Sequence, residues 1–353
     1  GMITNIDDNF KKLEDKLDEL GLTDNTILIF TTDNGTAAGR DTYNAGLRGG
    51  KGSQYDGGHR VPLFIRWPNG ELTGGKDIDN LVANFDLLPT FVDLLGLDFN
   101  PVKPIDGKSL KPLFYNEAAK WENRILYIDT QRKQNLVKYK DYSVMDSNWR
   151  LVDGDELYNI TNDRAQEKNI IDKHPEVAAR LTEGYKKWWQ SFMDDNVDEK
   201  YAYIKVGSPY ENPTRISAHD LIVGRHSQAW HQNGAINGVQ SGGCWKIEFV
   251  EDGEYSISLR RFPRESGLAI NATFPAQEER LELDRTAPAS TKADFTEASL
   301  YVANVDETLK IGEGQEEVTF KAFIPAGKYD MEARLFDEAN RIHPAYYVYI
   351  EKL

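Results

Sequence analysis

The apolar periodicity of this chain changes character once, and that change constrains its architecture more than any other feature. Up to about Asp194, helix-spaced apolar rows alternate with short apolar runs. From about residue 205 to the end there are only short alternating segments punctuated by turns. An α/β portion therefore precedes an all-β portion, with the boundary expected near 195–210. The 353 residues have room for two or three units. The spans expected are 2–100 for an α/β sheet domain and 101–200 for a subdomain of short antiparallel strands with a helix. Residues 205–353 are expected to form a β-sandwich or jelly-roll domain.

Ile3, Ile6, Phe10, Leu13, Leu17 and Leu20 are spaced by three and four, which is one face of an amphipathic helix, and Gly21 is its expected stop. The run from Thr26 to Thr32 is continuously apolar or β-branched and reads as a strand buried on both faces, as in a parallel sheet. It ends at Asp33-Asn34-Gly35. A polar, glycine-rich loop from Thr36 to Arg60 then leads to a second apolar run, Val61 to Trp67, and to a helix over about Asn84–Leu95. Pro101 to Pro112 is a turn-rich connection. Strands are expected at Arg124–Asp129, Tyr142–Met145, Trp149–Val152 and Glu156–Tyr158. A helix from Pro175 to about Phe192 offers Leu181, Tyr185, Trp188 and Trp189 for burial. In the last portion, Trp245–Val250 with Glu254–Phe262 reads as one hairpin and Val318–Ile324 with Lys328–Phe336 as another. A final strand is expected near Tyr346–Ile350.

Charge narrows the range of functions. Lys and Arg number 42 against 57 Asp and Glu, a net charge of −15, which disfavours nucleic acid and anionic membranes as partners. No apolar run approaches a membrane span. Cys244 is the only cysteine, so there is no internal disulfide. Gly1 before Met2 reads as a cleavage scar with no signal peptide after it, and the helix at Met2 suggests that the chain enters its α/β domain part-way.

Asp33 and Asn34 place two oxygen ligands at the carboxyl end of a strand, where α/β sheets bind ligands. Such donors suit a hard cation such as calcium, which takes six to eight oxygens. Asp-Asn-Gly is equally ordinary turn chemistry. The following loop adds Leu47-Arg48-Gly49-Gly50-Lys51-Gly52 and Gly57-Gly58-His59-Arg60-Val61-Pro62. Glycines there let backbone approach an anion, with Lys51 as a point charge, although a lone lysine in such a loop is also ordinary solvated surface.

Over about residues 2–193 the sequence resembles the sulfatase family of the alkaline-phosphatase-like superfamily. The match runs through Thr32-Asp33-Asn34-Gly35, Gly50-Lys51, Gly57 to Pro62, Asp86-Leu87-Leu88-Pro89-Thr90 to Gly96, and Asp106 to Leu110. It continues through Trp149 to Val152 and Glu156-Leu157-Tyr158. Asp56 stands where the family usually has glutamate, and the charge is kept. The resemblance implies a large α/β sheet domain followed by a small antiparallel sheet with a packing helix. It also implies hydrolysis of a sulfate ester by a formylglycine, made from Cys or Ser in a C/S-x-P-x-R motif, with calcium and cationic side chains stabilising the developing charge. Asp33 and Asn34 match two metal ligands and Lys51 the lysine that holds the sulfate.

The remainder of that constellation lies upstream in the family. Cys244 has no proline or arginine at the required spacing, Glu211 in Glu211-Asn212-Pro213-Thr214-Arg215 cannot become formylglycine, and Asp7-Asp8 falls in the expected first turn of the opening helix, where acidic residues favour the helix dipole. The chain alone is therefore expected to lack sulfatase activity and to hold calcium weakly at Asp33/Asn34. The parent protein would act on sulfated glycans or aryl sulfates in the periplasm or outside the cell. An incomplete sheet implies self-association through an open edge.

In the last portion, Gln228 to Gln232 and Gly242 to Trp245 resemble an accessory β domain of some bacterial sulfatases. Trp230 and Arg261 are its candidate glycan contacts, with Trp245 a further aromatic, although such aromatics are more often core. His219, His226 and His231 do not share a strand face, and Arg260, Arg261 and Arg264 read first as salt-bridged surface. Two rival readings remain: a non-catalytic carbohydrate-binding module on a sulfatase-derived scaffold, and a phosphatase or phosphodiesterase of the same superfamily. The loop around Lys51 argues against the second.

Overall fold

In the computed structural model the described residues are 1–116, 119–131, 136–194, 201–223, 229, 232–274, 289–290 and 293–353. The chain divides into two compact units, Gly1–Asp195 and Asn196–Leu353.

The first unit opens with α1 (Met2–Glu19). Its end is a Schellman turn: Leu22 N–H donates to Leu17 O at 2.9 Å and Gly21 N–H to Asp18 O at 3.0 Å. Gly21 takes the positive φ of 65° that this turn requires. Because α1 begins at Met2, Asp7 and Asp8 lie in its second turn rather than its first. β1 (Leu28–Thr31) pairs antiparallel with β2 (Leu63–Arg66), after α2 (Asp56–His59). This corrects the expectation of a parallel, doubly covered strand. The two strands pair only with each other among the described residues, and Leu28, Ile29 and Phe30 are no more than half-buried, with Thr31 exposed.

α3 (Leu87–Leu95) and α4 (Lys111–Tyr115) follow. A four-stranded antiparallel sheet then runs in chain order through β3 (Leu126–Asp129), β4 (Tyr142–Met145), β5 (Trp149–Val152) and β6 (Glu156–Asn159). α5 (Pro175–Met193) buries Leu181, Tyr185 and Trp189 against Tyr142, Val144, Leu151 and Leu157 of this sheet. Trp188, also expected to be buried, lies half-buried and stacked on Tyr127 with centroids 5.0 Å apart.

The second unit contains β7 (Ile204–Val206), β8 (Thr214–Ser217), β9 (Ile222–Val223), α6 (Gln232–Ile236), β10 (Gly243–Phe249) and β11 (Gly253–Arg260). β12 (Phe295–Val302), β13 (Val305–Lys310), β14 (Val318–Ile324), β15 (Gly327–Asp337), β16 (Ile342–Pro344) and β17 (Tyr347–Lys352) complete it. Seven strands form one sheet in the order β13-β12-β15-β10-β7, with β16 on β15 and β9 on β10. Four form another in the order β14-β11-β17-β8.

Neither expected hairpin exists. β10 pairs with β15 and β11 with β14, so each short turn carries the chain from one sheet to the other. The reason is the shared core: Trp245, Ile247 and Phe249 of β10 and Tyr255, Ile257 and Leu259 of β11 all belong to it. The two rows meet from opposite sheets instead of lying side by side on one. Hairpins form instead at β12–β13, closed at Val302 and Val305, and at β15–β16.

Candidate active site

The loop after β1 is built by backbone contact. Gly35 N–H donates to Gly58 O at 2.9 Å, and Lys51 N–H to Thr36 O at 2.9 Å. Side chains are excluded where these segments meet. A Cβ on Gly35 would fall 1.8 Å from Gly57 O, one on Gly57 would fall 2.4 Å from Arg48 O, and one on Gly58 would fall 2.2 Å from Ser53 O. The glycine pattern is thus a packing requirement, and it brings Asp33, Asn34 and Lys51 onto one cluster of loops.

That cluster is braced from the four-stranded sheet. Asp56, at the start of α2 and 1% exposed, accepts from Arg150 Nε of β5 at 2.7 Å. Its own N–H donates to Gln166 Oε1 at 2.8 Å. Burial raises the carboxyl's pKa, but His59, with Nε2 3.5 Å from Oδ1, and the Arg150 guanidinium outweigh it and hold the group at about 2. Arg48 reaches Tyr158 Oη at 2.8 Å, Gln166 O at 2.9 Å and Tyr55 Oη at 2.8 Å. Both tyrosine hydroxyls donate to Glu156 Oε2, at 2.7 Å from Tyr55 and 2.6 Å from Tyr158. Burial and Glu156 push the Tyr158 hydroxyl up to about 12, so it stays a donor at neutral pH. Sequence reading missed Arg48, Arg150 and Gln166 as supports, because their partners lie about a hundred residues away.

Against this braced background, three polar side chains are left over. Lys51 and Asp33 are exposed and Asn34 is half-buried. None of the three side chains has a hydrogen-bond or ion-pair partner among the described residues. Asp33 and Asn34 supply oxygen donors suited to a hard cation, and they amount to two of the six to eight that calcium takes. No group of three or more His, Cys, Asp or Glu converges on a common point among the described residues.

Two family models match this region. The model described as "Sulfatase" covers residues 1–97, and "N-sulphoglucosamine sulphohydrolase, C-terminal" covers residues 50–190. Residues 1–190 belong to the sulfatase family. A steryl-sulfatase of Mus musculus is 35% identical over 119 residues, which are 31% of this chain and 19% of that protein. An N-acetylglucosamine-6-O-sulfatase of Bacteroides thetaiotaomicron is 26% identical over 213 residues, 57% of this chain and 37% of that protein. Among solved structures, that of Ps i-CgsB is 28% identical with a TM-score of 0.47, over 53% of this chain and 42% of that one. The chain therefore spans between 19% and 37% of the length of these two curated relatives.

The other sulfatase-like motifs are structural. Asp86 is fully buried and accepts from Arg124 through both oxygens, from Ala83 N–H at 2.7 Å and from Lys108 N–H at 2.9 Å. Thr90 Oγ1 donates to Asp86 O at 2.6 Å and accepts from Leu110 N–H at 2.9 Å. A Cβ on Gly107 would fall 2.3 Å from Phe85 O. The Asp86–Thr90 and Asp106–Leu110 motifs are two halves of one clip.

In the second unit the candidate glycan contacts fare differently. Arg261 is 1% exposed, so it cannot meet a ligand from solvent. Its guanidinium donates to Ala235 O at 2.9 Å, Ile236 O at 2.7 Å, Ile270 O at 3.3 Å and Ala272 O at 3.2 Å. It satisfies carbonyls at the end of α6 and in a neighbouring turn, a use that its polar sequence context did not reveal. Arg260 is buried as well and pairs with Glu316 and Glu317, while Arg264 pairs with Glu317. Trp245 is core, and its Nε1–H donates to Ser217 O at 2.9 Å. Trp230, His226 and His231 lie outside the described residues.

Proposed function

We propose that residues 1–190 are the carboxyl-terminal share of a sulfatase catalytic domain that hydrolyses sulfate esters of glycans or aryl alcohols. In this reading Lys51 holds the sulfate group and Asp33 and Asn34 contribute two ligands to a calcium ion. The observation that carries it is the contrast within one loop cluster: Asp56 and Arg48 are tied into the brace through Arg150, Tyr55 and Tyr158, whereas the side chains of Lys51, Asp33 and Asn34 have no partner among the described residues.

A bound calcium ion supplies positive charge for the transition state. Lys51 positions the sulfate by charge, and its backbone is fixed through Thr36. The nucleophile of this chemistry is a formylglycine, and the sequence contains no C/S-x-P-x-R motif from which it could be made. The relatives named for 6-O-sulfated amino sugars favour a glycan substrate and a periplasmic or extracellular parent protein. The second unit, with two sheets around one core, is read as a β-sandwich accessory domain.

The purified chain is expected to turn over no aryl sulfate but to bind inorganic sulfate weakly. Lys51→Ala should remove that binding with no shift in the unfolding midpoint. Sulfate affinity unchanged by Lys51→Ala, read by NMR titration, overturns the assignment.

A further inference from the structure

We infer that Arg40 is a second anion contact beside Lys51, selecting substrates that carry another sulfate close to the reacting one. The inference rests on reading Lys51 as the sulfate-holding cation. Arg40 is the only cation between Thr36 and Leu47. It lines the same open cleft as Lys51, about 160 Å³, together with Thr36, Ala37, Gly50, Gly52 and Ser53. Among the described residues no carboxylate lines that cleft.

The two cations are placed by one piece of backbone. Thr36 O accepts from Lys51 N–H at 2.9 Å. The stem of Arg40 lies across Gly50, its Cδ 3.2 Å from where a Cβ on that glycine would be. A side chain at position 50 would displace Arg40 from the residue immediately before Lys51. Gly50 therefore does two things: it admits Thr36 O, 2.8 Å from the same Cβ position, and it lets an arginine stem cross the loop.

Arg40 is also free to exchange partners. It makes an ion pair with its neighbour Asp41 at 3.4 Å, with the two side chains 56% and 91% exposed. A pair in that much water is worth about 0–1 kcal/mol. Arg48 and Arg150, in contrast, are locked into the brace. A guanidinium offers two parallel N–H donors to an oxyanion, whereas Lys51 offers a point charge. The pair so arranged suits two sulfates on one sugar better than one.

The test uses N-acetylgalactosamine 6-sulfate and N-acetylgalactosamine 4,6-disulfate as ligands of the full chain, titrated by NMR at fixed ionic strength. The wild type should prefer the disulfate. Arg40→Ala should weaken the disulfate about fivefold, the equivalent of roughly 1 kcal/mol, and leave the monosulfate unchanged. Lys51→Ala should weaken both. Arg40→Ala that weakens both sugars equally, or neither, overturns the inference. Lys51→Ala without effect on either sugar overturns the Lys51 reading instead, so the two failures are distinct.

Discussion

The first hundred residues and the second unit are held together by different physics. In the second unit, strands of two sheets contribute alternate residues to one apolar core that includes Trp245, Phe249, Tyr255 and Phe320. Before Leu110, among the described residues, no apolar side chain is fully buried. Ile3, Ile6 and Phe64 are 79%, 51% and 66% exposed. They border a groove of about 900 Å³ formed by α1, β1, β2 and the segment from Leu72 to Asp79. What fixes this region is polar and steric: glycines in backbone contact, and the carboxylates of Asp56 and Asp86 each gripped by an arginine. A core of the first kind tolerates a surface change and fails when a large side chain is removed. A region of the second kind fails when one charge or one hydrogen atom is altered.

The sharpest break in the comparison is Trp245→Ala. It removes the largest fully buried side chain of the second unit and leaves Ser217 O without its donor. The expected loss is about 3–5 kcal/mol of that unit's stability, seen as a lower denaturant midpoint for its transition. The far-UV signature of the first unit should persist. A midpoint moved by less than about 1 kcal/mol equivalent would show that the core repacks around the loss.

A charge substitution in the first unit comes next. Asp56→Asn keeps the volume and leaves Arg150 buried without its counter-charge, which costs about 3 kcal/mol. The pH dependence gives an independent reading. The Asp56 carboxyl sits at about 2 when folded against 3.8 ordinarily. Its stabilisation is therefore complete above about pH 4 and is lost as pH falls through 2. The wild type should lose first-unit stability across that window more steeply than Asp56→Asn. Parallel acid profiles for the two proteins would mean that the ion pair with Arg150 is not what the pH change breaks.

How far the sequence revealed this follows from the same contrast. β3 to β6, α3 and α5 could be read from local periodicity, because each carries its own apolar pattern. The arches β10–β11 and β14–β15 could not. Alternation tells which residues of a strand are buried but not which strand lies beside it, and a turn of two or three residues serves a hairpin or a sheet-to-sheet crossing equally well. At the site, Asp33 and Asn34 stood out at the end of an apolar run and Lys51 in a glycine-rich loop, and only the resemblance to the sulfatase family gave the three a shared role. Their supports did not stand out, because Asp56–Arg150 and Arg48–Gln166 close loops of 94 and 118 residues and leave no local signature. Arg261 misled for a related reason: beside Arg260 and Pro263 it resembles surface, and only the carbonyls of α6 show why a cation is buried there.

The smallest effect on stability should come from Phe64→Ser, and it sharpens the comparison most. Phe64 is 66% exposed on β2, so its removal should change stability by no more than about 0.5 kcal/mol. Association is a different matter. β1 and β2 pair only with each other among the described residues, and their free edges lie beside an apolar groove. An uncovered edge with an apolar face recruits further chains. The wild type is therefore expected to self-associate at high concentration in light scattering, and Phe64→Ser to lower the apparent mass while the unfolding midpoint stays fixed. Equal reductions in mass from a polar substitution at exposed Phe323 of β14 would move the sticky surface to the second unit. A monomeric wild type would show that the open groove does not drive association.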